Sequence, residues 1–280
     1  MNNQLFDKLI ELAILEDFEK GDHTSLATVP SVQQGKAKLI VKQNGIIAGI
    51  EIAQKVFSII DNSTELKIFI QDGTNVKIGD IAFEVYGKTQ SILKSERLIL
   101  NIMQRMSGIA TTTNTYVEKI KQYKTKILDT RKTTPGFRLF EKEAVRIGGG
   151  VNHRMGLYDM IMIKDNHIDY AGGIEKAIDR TNEYLQKNNL NLKIEIEARN
   201  LNDVNAILKH GGVNIIMLDN FNIENTLKAV RLIIGKYQTE SSGGITIDTI
   251  VDYAACGVDF ISIGALTHHV SSIDLSLKAF

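Results

Sequence analysis

Two hydrophobic rhythms divide the chain. Up to about residue 110 the pattern is mixed. A first helix runs to Leu15 and ends before the turn-rich Gly21-Asp22-His23-Thr24-Ser25. Alternating apolar segments at 37–41, 46–48, 66–70 and 81–85 read as strands, punctuated by Gly45, Asp72-Gly73 and Gly79-Asp80. Residues 51–60 carry helical spacing between them, and a longer helix starts near Ser91, runs through Asn101 toward Lys121 and bridges the two halves.

After residue 125 short apolar runs alternate with helical stretches. The runs are 126–128, 160–163, 192–196, 215–218, a weak one around 238–240, and 260–263; helical spacing marks 171–184, 202–209, 223–234 and 248–255. Strands alternating with helices imply parallel pairing. The residues remaining are too few for the ~250 of a full eight-fold barrel. The expected fold class is therefore α/β: an open, reduced α/β barrel of six or seven strands over 111–280, with an N-terminal α+β sandwich domain over 1–110. The bridging helix goes with that first domain, and the C-terminal tail is a candidate addition to it.

Composition narrows the function classes. The chain has 280 residues, 33 basic and 33 acidic, so its formal charge is zero and a general electrostatic nucleic-acid binder is not expected. No apolar run approaches the ~20 residues of a membrane span. Charges at Asp7, Lys8 and Glu11 interrupt the first apolar stretch, which reads as an amphipathic helix and not a signal peptide. A lone Cys256 cannot form an intrachain disulfide. The expectation is a cytoplasmic protein without nucleic-acid or membrane partners.

In α/β barrels function gathers where strands end. Here those ends read Asp129-Thr130-Arg131-Lys132, Lys164-Asp165-Asn166-His167, Glu195-Ile196-Glu197, Asp219-Asn220, Glu240-Ser241-Ser242-Gly243-Gly244 and Ser262-Ile263-Gly264. In Ile194-Glu195-Ile196-Glu197 alternation sends both glutamates to one face. If the isoleucines meet the helices, both carboxylates point into the barrel, where charge is costly unless paired or metal-bound. Glu195 then reads as a structural ion-pair member, with Lys164 a suitable partner, and Glu197 as functional. Ser242-Gly243-Gly244 and Ser262-Ile263-Gly264, placed just before helices, suit a phosphate; either alone could be a plain turn. The span 131–164 is rich in cations that could grip a polyanion: Arg131, Lys132, Arg138, Lys142, Arg146, His153, Arg154 and Lys164. Lys142 and Arg146 read as surface charges. No histidine, His153 and His268-His269 included, has metal-ligand spacing, Ser107-Gly108 lacks a nucleophile elbow, and Gly148-Gly149-Gly150 follows no clear strand. A Schiff base on Lys164 stays open but leaves the anion sites unexplained.

These residues resemble the quinolinate phosphoribosyltransferases. The motifs EDFEKGDHTS, SERLILNIMQRMSGIAT, DTRKTTPGFRLFEKEAVRIGGGVNHRMGLYDMIMIKDNH, IEIE, MLDN, SSGG and DFISIGALTH occur in that family's order along nearly the whole chain. Ser241, where alanine is usual, and Ala198-Arg199-Asn200 depart from the pattern. The resemblance implies an N-terminal sandwich, an open seven-stranded barrel, and a homodimer in which Arg97 reaches across to the partner's site. It implies transfer of phosphoribosyl from phosphoribosyl pyrophosphate to quinolinate, with Mg2+, giving nicotinate mononucleotide, pyrophosphate and CO2 in NAD biosynthesis. By resemblance Arg131, His153, Arg154 and Lys164 hold the quinolinate carboxylates, with Thr130 beside them. Lys132 and Lys164 face the donor, and Glu197 and Asp219 the ribose hydroxyls, directly or through Mg2+. Lys132, Lys164, Glu197 and Asp219 are the expected catalytic set, and Ser242, Gly243, Gly244, Ser262, Ile263 and Gly264 cradle the 5-phosphate.

Two rivals remain at this level. A one-carboxylate acceptor such as nicotinate would need fewer cations than Arg97, Arg131, Arg154 and Lys164 supply. A non-catalytic phosphosugar-binding protein would have no need of Glu197 and Asp219. Thr133-Thr134-Pro135-Gly136 is either a lid or a rigid turn.

Overall fold

The structure, a computed structural model, describes residues 3–280; Met1 and Asn2, at the start of the expected first helix, lie outside the described residues. In chain order it contains α1 (Asn3–Phe18), α2 (His23–Thr28), β1 (Gln34–Val41), β2 (Gly45–Ile46), α3 (Ile50–Ile60), β3 (Glu65–Ile68), β4 (Asn75–Val76), β5 (Ile81–Lys88) and α4 (Thr89–Lys119). There follow β6 (Lys126–Leu128), α5 (Arg138–Ile147), β7 (Ile161–Ile163), α6 (Asp165–Ala171), α7 (Ile174–Lys187), β8 (Ile194–Ala198) and α8 (Leu201–His210). The last are β9 (Ile215–Asp219), α9 (Ile223–Ile233), β10 (Gln238–Ser242), α10 (Ile250–Ala255), β11 (Phe260–Ser262), α11 (Ala265–His268) and β12 (Leu275–Ala279). Two compact units result: Met1–Asn114 with Thr133–Gly149 and Leu266–Phe280, and Thr115–Lys132 with Gly150–Ala265.

The first unit is built on an antiparallel sheet ordered β12-β1-β5-β3. Along β1 the buried positions Ala37, Leu39 and Val41 recur every second residue, as one covered face requires. Phe57 of α3 meets Phe83 of β5 edge-on, with ring centroids 6.2 Å apart. α1 buries Phe6 and Ile10, one turn apart, and leaves Leu5, Leu12 and Leu15 exposed. The stretch read as a turn at 21–25 is largely the start of α2, because the Asp22 carboxylate accepts the Ser25 N–H at 3.0 Å and caps the helix.

α5 corrects one expectation. Lys142, read as a surface charge, is fully buried beside Glu141. The helix is enclosed on several sides: Phe140 packs on Phe6 at 5.3 Å, and Glu141 receives the Arg105 guanidinium at 2.6 Å. Arg146 is exposed and pairs with Glu143, in keeping with its reading. The same Arg105–Glu141 pair holds the 133–136 turn. Arg105 donates to the Thr134 hydroxyl at 2.9 Å, and the Thr134 N–H donates to Glu141 at 3.1 Å.

The second unit carries six parallel strands ordered β6-β11-β10-β9-β8-β7. Every strand pairs with its successor in the chain, and the last pairs with the first; only β6 and β7 do not pair. That is a barrel open at one seam. Seven strands were implied and six form, with Val151 making a single parallel bridge to Leu128 at the seam. The helix expected at 171–184 is two, α6 and α7, separated by Gly172 and Gly173 at φ 85° and 124°. A phosphate loop directly before a helix is also not what forms after β10: α10 begins at Ile250.

Candidate active site

The parallel register gathers the strand ends. Ile163 of β7 sits beside Ile196 of β8, which places Lys164 next to Glu197. Asp219 of β9 lies opposite Ser242 of β10, and Ser262 of β11 opposite Leu128, one residue before Asp129. Lys164, Glu197, Asp219, Ser242 and Ser262 are thus brought to one end of the barrel, with Thr130, Arg131 and Lys132 following Asp129 there.

β8 behaves as alternation requires: all five of its residues are buried, isoleucines on one face and carboxylates on the other. The partners are not the expected ones. Lys164 Nζ lies 3.3 Å from Glu197 Oε1, and Glu197 Oε2 accepts the Asp165 N–H at 3.0 Å. Glu195 pairs instead with His153, whose Nε2 is 2.8 Å away. Lys164 ends at the strand tip, beyond reach of a side chain one pleat deeper. Partial burial, and then the Glu197 charge, push the Asp219 carboxyl above its usual range. Asn220, itself at φ 55°, donates from its amide to Asp219 at 2.9 Å.

Glu240 was visible only as a polar strand end, yet it is buried within the barrel, with His153 Nε2 3.4 Å from its Oε2. The alternation argument applied to β8 would have found it, because Gln238, Glu240 and Ser242 share one face of β10. Asp129 was likewise visible only as a strand end; buried, it accepts the His153 N–H at 2.9 Å. Burial lowers the His153 pKa, but the two carboxylates outweigh it and raise it to about 10. Burial and then the Glu240 charge push Glu195 up to about 7. His153 Nδ1 lies 2.7 Å from the Arg154 main-chain nitrogen. His153, Glu195 and Glu240 are also a group whose ligand atoms lie within 4.8 Å of one another, a proximity the histidine spacing did not reveal.

The remaining expected residues fall as follows. Arg131 and Lys132 are exposed, with the Lys132 N–H on the Thr130 hydroxyl at 3.1 Å. Burial and then Arg131 lower the Arg154 pKa, so these two cations face common ground. Gly243 and Gly244 sit at φ 97° and 62°, where glycine is favoured. The Ile263 N–H is committed to the Leu128 carbonyl at 2.9 Å, so that loop offers the Ser262 hydroxyl in its place. Ser262 Oγ is buried and makes no hydrogen bond. Arg97 is exposed on α4 in the first unit.

Comparison with known proteins gives concordant matches. Residues 22–107 match the family model "Quinolinate phosphoribosyl transferase, N-terminal domain", and residues 109–278 match its C-terminal counterpart. The chain is 44% identical to a Nicotiana glauca quinolinate phosphoribosyltransferase [decarboxylating] over 96% of its own length and 81% of the relative's. It is 39% identical to a probable nicotinate-nucleotide pyrophosphorylase [carboxylating] of Bacillus subtilis, over 99% of this chain and 94% of that one. The crystal structure of NadC from Streptococcus pyogenes superimposes with a TM-score of 0.94 at 38% identity, covering 99% of this chain and 97% of that one.

Proposed function

The chain belongs to the quinolinate phosphoribosyltransferase family, and on that footing we propose the roles its strand ends play. The reaction is transfer of phosphoribosyl from phosphoribosyl pyrophosphate to quinolinate with decarboxylation, giving nicotinate mononucleotide, pyrophosphate and CO2 for NAD biosynthesis. The observation that carries the residue assignment is the register that sets the Lys164–Glu197 pair, Asp219 and the Ser242-Gly243-Gly244 loop side by side.

Departure of pyrophosphate builds positive charge on the ribose ring, which Glu197 and Asp219 stabilise at fixed distance. Lys132 and Lys164 face the departing phosphates, and Ser242, Gly243, Gly244, Ser262 and Gly264 seat the 5-phosphate. Arg131, Arg154 and Lys164 hold the two carboxylates of quinolinate and set its nitrogen against C1 of the sugar. The glycosidic bond forms as the bond to pyrophosphate breaks. The C–C electron pair of the lost carboxylate then passes into the cationic pyridinium and is quenched by a proton.

Glu197 and Asp219 also suit Mg2+. They are oxygen donors, and partial burial and then the Glu197 charge raise the Asp219 carboxyl, a cost that a hard cation held by these residues would relieve. When bound, Mg2+ supplies charge neutralisation for pyrophosphate. A homodimer completes the picture, with Arg97 entering the partner's site. Exposed Leu93, one turn before Arg97 on the same helix, supports an interface there. Among the described residues no helix is long and apolar enough to cross a membrane, and we place the reaction in the cytoplasm.

The test is product formation from quinolinate, phosphoribosyl pyrophosphate and Mg2+, with nicotinate run in parallel. Nicotinate mononucleotide and CO2 in equal amounts, from quinolinate alone, are the expected result. Turnover of nicotinate without quinolinate would reassign the acceptor pocket.

A further inference from the structure

The seam between β6 and β7 poses a mechanical problem. After the single Val151 bridge the chain runs to Ile161 without a strand partner, yet it must present Arg154 in a fixed place. The Asp159 carboxylate accepts the Met155 and Gly156 N–H groups at 2.7 and 2.9 Å beyond Arg154, and on its near side His153 holds the segment through its main chain and both ring nitrogens. The His153 main-chain N–H donates to Asp129 at 2.9 Å, Nδ1 lies 2.7 Å from the Arg154 main-chain nitrogen, and Nε2 enters the barrel between Glu195 at 2.8 Å and Glu240 at 3.4 Å. Both carboxylates are buried, and the imidazole is 6% exposed.

We propose that His153 is a positioning residue, with Glu195 and Glu240 gripping its ring so that the adjacent Arg154 is presented to a carboxylate of the acceptor. This inference rests on the reaction assigned above and replaces direct contact of His153 with substrate. Both ring nitrogens already lie against protein atoms, Nε2 on the two carboxylates and Nδ1 on the Arg154 main-chain nitrogen, so neither is directed at an incoming carboxylate. The guanidinium is steadied at its other end, where Arg154 Nη1 donates to the Met160 carbonyl at 3.2 Å.

The experiment is a double-mutant cycle on kcat/KM for quinolinate, with His153→Ala, Arg154→Ala and the pair. His153→Ala should raise the quinolinate KM about 10-fold, with kcat and the donor KM changed less than about threefold. In the Arg154→Ala background the same substitution should cost less than about threefold more, because its effect passes through Arg154. Glu240→Gln keeps an oxygen beside Nε2 and adds an N–H for Glu195, and should keep the wild-type KM. Glu240→Leu should behave as His153→Ala.

Full additivity in the cycle would mean that His153 meets the substrate itself and would overturn the proposal. So would a lowered Tm with an unchanged quinolinate KM, the mark of a purely structural residue. If His153→Ala does not fold, the Glu240→Gln and Glu240→Leu pair in the Arg154→Ala background decides by the same criteria. Wild-type turnover of quinolinate with an additive cycle sinks this inference alone, whereas no wild-type turnover removes the reaction and the inference together.

Discussion

Gly243 faces Asn220 so closely that a side chain there has no place. An added Cβ would collide with Asn220 Oδ1 and lie 3.1 Å from the Asn220 main-chain nitrogen. The loop after β10 is thereby packed against the turn after β9, and the φ of 97° at Gly243 disfavours any other residue independently. Gly243→Ala should cost about 1–3 kcal/mol in stability through backbone strain alone. It should also raise the KM for phosphoribosyl pyrophosphate more than that for quinolinate. Denaturant unfolding and substrate-resolved kinetics check the two parts.

Glu197 and Asp219 are expected to act on the ribosyl cation. Glu197→Ala or Asp219→Ala should lower turnover at least ~10-fold, within the range of electrostatic groups in active sites. Steady-state kcat is the readout, and full activity in both variants would remove these carboxylates from the mechanism.

Arg105 neutralises Glu141, whose side chain is completely buried. Arg105→Ala would strand that carboxylate and should destabilise the first unit by about 3 kcal/mol. Adding Glu141→Leu should recover much of the loss, because the stranded charge goes with it. An equal loss in single and double variants, measured by denaturant unfolding, would show that the pair is not the cause.

Asp61 supplies a pH signature. The Ser63 hydroxyl, then the Ser91 hydroxyl and the Ser63 N–H, lower its pKa from 3.8 to about 2. The depressed value means that the folded state favours the ionised form. The stabilisation is present above the unfolded value and is lost as pH falls through about 2. Asp61→Asn should therefore melt below wild type above pH 4, with the gap closing toward pH 2. A gap independent of pH across that range would assign the effect to packing.

Much of this arrangement can be read in the chain. Alternation in Ile194-Glu195-Ile196-Glu197 locates two inward carboxylates, and the strand-helix rhythm after residue 125 locates the barrel. What escapes is what hydrophobic periodicity does not encode. β10 is polar along most of its length, so Glu240 reads as a polar strand end and not as a buried interior group. Val151 makes one bridge and leaves no pattern. Lys142 looks solvated because α5 mixes charge with Leu139, Phe140, Ala144 and Val145, and only its packing reveals burial on the charged side as well. The partner of Glu195 comes from the seam, 42 residues away in sequence, where no local spacing could announce it.

The open seam also bears on solubility. A sheet that fails to close leaves two free edges, and long flat edges invite other chains to add a strand. Here the edges are β6 and β7, each only three residues long, and Val151 covers one rung of the first. Edges of that length present too few main-chain N–H and C=O groups to template another chain. A change that lengthened either strand would remove that protection even if every substrate contact survived.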